Sequence, residues 1–413
     1  MHSPPARHPP IILLTSWIGL VLGVIIFTSS TFSVLFGPIS SEFGWSRSQL
    51  SLAYSLFSLT STLALPAIGR LVDRAGARQV IVGCTLVFVV TTLLLRFVTS
   101  LWQFYALFVV AGIISGGTST LPYFKVLIRV FSQRRGLALG IANSGTAVGT
   151  LLFPLVAYRL NAAVGWRDTY AMMGVAIAVV VIPVVVFGLR EGSTSPVQTP
   201  TSTPASTPTP ALLPPGLTLK DAMLTTRFWI VGIAFFTATT ALVGYLIHLV
   251  PLLKDRGVTA ATAALAASIF GGAQLLGRLG AGFLLDKLAT PVVAAGLWLL
   301  ASLAFFILWS GVSGYPLLIC TALVGLAFGG EGDVLAYLVG RLFGSDSFGR
   351  IYSVLLMINL LGAVVGPYLF GAAFDTTGNY TIVIAGTAGA TLLAAVLILS
   401  LRHEPEFPRR RVS

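Results

Sequence analysis

Apolar runs too long for a water-soluble domain decide what this chain can fold into. Residues 11–34, 79–97 and 292–310 each approach the ~20 apolar residues that cross a bilayer core. None alternates with a period of two, as the ~10-residue strands of a membrane barrel do. A backbone in lipid has to satisfy its own polar groups, so these runs predict an all-α polytopic membrane protein. Composition agrees. Of the 413 residues, 56% are hydrophobic and 9% charged, against roughly 25% charged in soluble domains.

Twelve spans can be placed, at 12–36, 50–70, 79–99, 102–129, 136–160, 167–189, 226–250, 260–285, 290–310, 314–342, 349–374 and 379–401. Between the sixth and seventh lies "EGSTSPVQTPTSTPASTPTPALLPPG". A Ser/Thr/Pro stretch of this kind buries no apolar face and reads as a flexible, partly extended linker. The expected organisation is a six-helix bundle over 1–189, a linker over 190–220, a second six-helix bundle over 221–402 and a tail over 403–413. The first run is too long for a signal-peptide core and no small-residue cleavage pattern follows it, so it is expected to be retained as a helix.

The two halves repeat. "GRLVDR" at 69 and "GFLLDK" at 282 share a Gly-x-x-x-Asp-[Arg/Lys] pattern 213 residues apart. "EFGWSRSQLSLAYSL" at 42 and "DRGVTAATAALAASI" at 255 stand at the same offset, as do Gly136 and Gly349. Internal repeats of this kind are typical of transporters.

The net charge of +12 does not form the stripe or arm that would bind nucleic acid, because the basic residues sit in short loops between apolar runs. Loop charge in a membrane protein sets orientation instead. With the N-terminus inside, inner segments hold seventeen Lys and Arg and outer loops hold six. Both termini and the linker are therefore expected in the cytoplasm, with the protein in the cell inner membrane. The two remaining cations, Lys125 and Arg278, fall within spans. Cys84 and Cys320 lie inside apolar runs and read as small packing residues.

At this point the chain resembles the major facilitator superfamily over essentially its whole length. "GRLVDRAGAR" (69–78) is similar to that superfamily's loop motif between helices 2 and 3, and "GFLLDK" to its echo between helices 8 and 9. More narrowly, "FSQRRGLALGIANSGTAVG" (131–149) and "EFGWSRSQLS" resemble monocarboxylate transporters and their bacterial oxalate/formate antiporter relatives. The resemblance implies that Arg278, in the eighth span, binds a substrate carboxylate. It also implies that Asp73, Arg74, Asp286 and Lys287 form ion pairs latching the cytoplasmic side. Two departures stand out. Gln274 occupies the place of an acidic residue in animal monocarboxylate transporters, and the eleventh span lacks the lysine of the oxalate antiporter pattern. One fixed cation suits one carboxylate better than two.

The residues themselves support a site around Arg278. It lies eight positions before Asp286, ~12 Å along a helix, and an arginine at that depth costs at least ~2.5–3.5 kcal/mol. Its planar fork of donors matches a carboxylate; the bland alternative is a structural pair with an acid of the tenth span. "GLAFGGEGDVLAYLVG" (325–340) supplies Glu331 and Asp333. Two positions apart on a helix means ~200° of rotation, so one of the two is expected to face Arg278 or carry a proton. Helix-to-helix hydrogen bonding is the alternative. Tyr337 is one turn from Asp333, and Gln274 is one turn from Arg278, as a second donor to a bound carboxylate or as a structural packing residue.

His248, expected to end the seventh span before Pro251, reads as a substrate or proton ligand, or as a polar end residue facing outer water. Lys125 lies close enough to the inner interface to snorkel or join a gate ion pair. The "SGGTST" run (115–120) and Pro122 should weaken the fourth span, making Ser119 and Tyr123, with Asn143 in the fifth, secondary cavity candidates. Close helix packing is the alternative for all three.

The resulting expectation is a monomeric secondary transporter carrying a small organic monocarboxylate, lactate- or pyruvate-like, with a proton. Organic-anion exchange is the first rival and proton-driven drug export the second; a membrane sensor would need an output domain. No Ser/His/Asp set, metal-ligand spacing or phosphate loop is present, so neither an enzyme nor a cofactor or metal is expected.

Overall fold

The computed structural model describes residues 9–131, 135–189, 217–344 and 347–403. Among these, helices α1 (Pro9–Phe43), α2 (Arg47–Ala75), α3 (Ala77–Phe97) and α4 (Leu101–Val130) come first. A 54-residue helical stretch, Arg135–Gly188, follows. That length would reach ~81 Å, far beyond the ~30 Å hydrocarbon core. It divides at Gly165, whose φ of 80° and ψ of 169° break the helix, into α5 (135–164) and α6 (166–188). The second half holds α7 (Thr226–Asp255), α8 (Ala260–Leu285), α9 (Thr290–Trp309), α10 (Pro316–Phe343), α11 (Phe348–Thr377) and α12 (Thr381–Leu399). No strand occurs among the described residues. The twelve expected spans are all present as helices.

Several boundaries move outward. α7 runs five residues past its expected end because Pro251 is accommodated inside the helix. The chain after the linker takes up structure before residue 220: Leu217 N bonds Phe343 O at 3.0 Å, and a short helix spans Leu219–Met223. The stretch 190–216 and the tail from 404 lie outside the described residues.

The expected weak point of α4 is real, and it serves a purpose. Residues Gly116–Thr118 tighten into a 3-10 turn, and Ser119 caps the helix that resumes at Thr120. α1 is broken beside it at Leu22–Gly23. The Val24 N–H donates to Thr118 Oγ1 at 3.2 Å, so one irregularity satisfies a donor left by the other.

Within each half, glycine brings helix backbones into contact. A Cβ on Gly112 of α4 would lie 2.4 Å from Phe57 O of α2. A Cβ on Gly325 of α10 would lie 2.6 Å from Phe270 O of α8. Both members of these pairs are 213 residues apart, so the repeat offset seen in sequence is also a repeat of close backbone packing. Membrane helices associate through small residues in this way because apolar burial gives them no net drive in lipid. Across the halves, α1 packs on α7, α2 on α11 and α5 on α8.

Replacing Gly325 with Val should destabilise the detergent-purified protein by about 1–3 kcal/mol, read as a lower melting temperature. Gly296→Val, where a Cβ meets nothing within 4 Å, should leave it unchanged; equal behaviour of the two variants would contradict the packing described.

Candidate functional site

Arg278 sits where α8 meets both α10 and α5. Gly277, Gly325 and Gly329 let α8 and α10 touch backbone to backbone: a Cβ on Gly329 would lie 2.1 Å from Gln274 O and 2.9 Å from Arg278 N. The side chain then crosses to the other half of the molecule. Its Nη1 donates to Asn143 O and to Thr146 Oγ1 of α5, both at 2.9 Å. Nε makes no hydrogen bond among the described residues. It stands 3.9 Å from Asp333 Oδ2 of α10, a distance for charge attraction but too long for a hydrogen bond. The guanidinium therefore spends one corner on bridging the halves and leaves its Nε–Nη2 edge facing a carboxylate. Arg278 is largely covered and Asp333 is 41% exposed.

The other sequence candidates divide clearly. Gln274 lies one turn from Arg278, buried, with Oε1 unpartnered among the described residues. Asn143 contributes its main-chain carbonyl and not its amide. Tyr337 is one turn beyond Asp333 and exposed. Tyr123 is fully buried against α1, where a Cβ on Gly19 would meet its hydroxyl at 2.1 Å. Ser119 uses its hydroxyl on Gly116 O at 2.7 Å. Neither reaches Arg278. Glu331 points away from it, into the second half, where its Oε1 accepts from the Thr239 hydroxyl of α7 and from Asn359 Nδ2 of α11 at 2.9 Å.

His248 is neither at a helix end nor facing outer water. It is fully buried and bonded on both nitrogens. Nε2 lies 2.8 Å from Ser51 Oγ and 3.0 Å from Pro367 O; Nδ1 lies 2.8 Å from the Tyr380 hydroxyl. A carbonyl can only accept, so Nε2 carries the proton and Nδ1 accepts from Tyr380.

His248 belongs to a seam that closes one end of the molecule, the end holding the α1–α2, α7–α8 and α11–α12 turns. At its centre is Arg47, the first residue of α2. Nη1 and Nη2 meet Asp255 of α7 at 2.5 and 2.9 Å, and Nη1 also donates to Tyr380 at 2.6 Å. The guanidinium lies 3.5 Å above the Phe374 ring. Asp375 of α11 accepts from the backbone N–H of Arg47 at 3.0 Å and of Ser48 at 2.9 Å. One half thus caps the N-terminus of a helix in the other, where a carboxylate also suits the helix dipole. Ser33 Oγ accepts from Val250 N at 3.3 Å, and Ser55 donates to Val364 O at 2.6 Å deeper in the same seam.

At the opposite end Lys125 joins an ion pair, one of its two expected roles, but the pairing of the acids differs from expectation. Asp73 pairs with Lys125, 2.8 Å away within the same half, and not with Arg74, which is exposed. Lys125 also reaches Val72 O at 2.8 Å. Asp286 and Lys287 are exposed, and Lys287 Nζ stands 4.0 Å over the Phe283 ring. Among the described residues these groups form no pair between the halves. The acid of α2 is taken by Lys125 of α4.

Arg47, Asp255, Asp375 and Tyr380 were not singled out from sequence. One signal existed: Ser46 and Gln49 form a capping box that fixes where α2 starts, and so where Arg47 stands.

The Major Facilitator Superfamily model matches residues 18–259 and again 231–413. The chain belongs to the major facilitator superfamily. Among its relatives, the uncharacterized MFS-type transporter YcxA of Bacillus subtilis (strain 168) is 25% identical over 90% of each chain. Monocarboxylate transporter 13 of Rattus norvegicus is 28% identical over 93% of this chain and 86% of its own. A solved bacterial homolog of the human lysosomal transporter Spinster has the same fold, with a TM-score of 0.70 at 16% identity, covering 97% of this chain and 96% of that one. The protein is accordingly a membrane transporter, and the Arg47 seam and the Arg278 bridge both lie between the two halves of the major facilitator fold.

If the seam holds that end shut, Ser51→Cys should resist a membrane-impermeant thiol reagent, and adding Arg47→Ala should raise its labelling several-fold. Equal labelling with and without Arg47 would contradict the closure.

Proposed function

We propose that this transporter moves small monocarboxylates, lactate- or pyruvate-like, together with a proton by alternating access, and that Arg278 anchors the carboxylate. The observation that carries this reading is Arg278 Nε, without a hydrogen bond among the described residues and 3.9 Å from Asp333 Oδ2, on the Nε–Nη2 edge of the guanidinium. That edge is a two-donor fork of the width of a carboxylate. Gln274, one turn away, supplies a second donor to the same group, and Tyr337 lies at the margin of the site.

Proton coupling follows from competition. A substrate carboxylate on that edge would stand beside the Asp333 carboxylate, two anions sharing one cation. Like charges that close disfavour joint ionisation. Asp333 therefore takes a proton when substrate binds, and gives it up when substrate leaves. Moving the anion alone into a negative interior would oppose the membrane potential by ~2.3 kcal/mol per 100 mV; the accompanying proton removes that cost. A likeness to monocarboxylate transporter 13 supports the substrate class. Drug export fits less well, because a cation is the charge presented at the bridge.

The charge bias of the loops supports an inner-membrane orientation with the Arg47 end outside and both termini in the cytoplasm. On that orientation the conformation is closed outward. The bundles over 1–189 and 221–402 rock about the site as a monomer, breaking the Arg47 seam in one direction and the Arg278 bridge in the other. Because Nη1 of Arg278 binds α5 while its edge binds substrate, occupancy of the site bears directly on contact between the halves.

In proteoliposomes an inward proton gradient should drive uptake of labelled lactate. Arg278→Lys keeps the charge but loses the fork and should lower uptake at least tenfold. Asp333→Asn should leave lactate–lactate exchange while abolishing the gain from the gradient. Uptake indifferent to the gradient in the native protein would favour anion exchange, and normal uptake by Arg278→Lys would remove the clamp.

A further inference from the structure

The segment Gly329-Gly330-Glu331-Gly332-Asp333 sets the rotation of α10 from both sides. On one side, Gly325, Gly329 and Asp333 are spaced four apart and share a helix face. The two glycines lie directly on α8, with a Cβ at 325 meeting Phe270 O at 2.6 Å and one at 329 meeting Arg278 N at 2.9 Å. Asp333 is the next position in that row, so it comes out beside the Arg278 side chain. On the other side, ~200° around the helix, Glu331 is 7% exposed and bonded to two further helices. It accepts from Thr239 of α7 and from Asn359 of α11, whose Nδ2 also donates to Thr239 Oγ1 at 2.5 Å. Among the described residues no Lys, Arg or His pairs with Glu331.

The two acids therefore stand in different surroundings. Asp333 faces a cation and is partly open. Glu331 faces two neutral donors in the packed interior of one half. A rotation of α10 by ~30° would carry a side chain at its surface ~3 Å sideways, given a helix radius of ~5–6 Å. That is enough to turn a 3.9 Å approach into no interaction. Such a rotation would turn the glycine row away from α8 and bring positions that carry a Cβ into its place, where a Cβ at 325 or 329 already has no room. The Glu331 bonds oppose it from the far side.

We propose that Glu331 is a positioning residue for proton coupling: with Thr239 and Asn359 it holds α10 so that Asp333 meets the free edge of Arg278, and it does not itself carry the transported proton. This rests on the function proposed above for Arg278 and Asp333. A positioning role needs only an acceptor oxygen of the right reach. Glutamine has that oxygen and cannot titrate; leucine has neither property.

Two readouts on the full-length protein test the assignment. The first is lactate uptake into proteoliposomes as a function of outer pH. Glu331→Gln should keep the native pH profile with at least half the rate, whereas Glu331→Leu should lose at least fivefold, and Thr239→Val should fall between. A flattened pH profile in Glu331→Gln would overturn the proposal by making Glu331 the proton carrier. The second readout needs no transport. Asp333→Cys, at a partly open position, is labelled with a small charged thiol reagent, the native Cys84 and Cys320 being buried. In the Glu331→Gln background labelling should match that of Asp333→Cys alone; in Glu331→Leu it should change at least threefold, with both proteins monodisperse by size exclusion. Unchanged labelling in Glu331→Leu would overturn the proposal. If the native protein takes up no lactate, the substrate reading fails while the labelling result still decides the role of Glu331.

Discussion

One guanidinium, that of Arg278, joins the two halves of this transporter and keeps an unused edge. A permanently charged group in the membrane interior is tolerated only when its donors are directed at acceptors. Here Nη1 has two on α5, and among the described residues Nε has none closer than Asp333 at 3.9 Å. The remainder of the local structure follows from presenting that edge. Glycines at 277, 325 and 329 remove side chains where α8 and α10 cross, so that Asp333 arrives alongside. In a site with little water, charge attraction is stronger than at a surface, so a partly satisfied cation is a strong anchor for a carboxylate.

The two ends of the molecule are built on different physics. The Arg47 end is stitched by charge-assisted bonds, an aromatic–cation contact and a carboxylate capping a helix N-terminus across the halves. Each is directional and individually modest. Such bonds break one at a time, and water can replace them as the seam opens, unlike a packed apolar core. At the opposite end the described charges pair within one half or face outward. α7 and α11 carry the acids of the seam at Asp255 and Asp375, and the same helices carry Thr239 and Asn359 against Glu331.

Much of the fold was legible because lipid imposes a simple rule: a helix of about 20 apolar residues per crossing. The twelve spans, the break in α4 at 116–118 and the 213-residue repeat all came from residue type and spacing. Helix ends were less visible, since Pro251 reads as a stop and is absorbed by α7. Arg278 stood out because an arginine at mid-depth has few explanations, and the ~200° between Glu331 and Asp333 correctly separated their faces. Which acid met the arginine depended on helix rotation, which the glycine row sets and no local pattern states. His248 and Arg47 were misread or missed for a common reason. Their partners lie in the other half, 197 positions away for Ser51–His248 and 208 for Arg47–Asp255, and sequence proximity carries no trace of them. The Asp73–Lys125 pair, 52 positions apart within one half, replaces the expected Asp73–Arg74 pairing because Lys125 of α4 reaches Asp73, while Arg74 is exposed.

Proton linkage of binding tests the central claim most directly. Lactate titrated into the purified protein by calorimetry, in buffers of differing ionisation enthalpy near neutral pH, reports protons taken up per ligand bound. Sharing of one guanidinium edge between lactate and Asp333 predicts net uptake approaching one proton, abolished by Asp333→Asn with binding retained. Binding with no proton uptake, or uptake unaffected by Asp333→Asn, would contradict it.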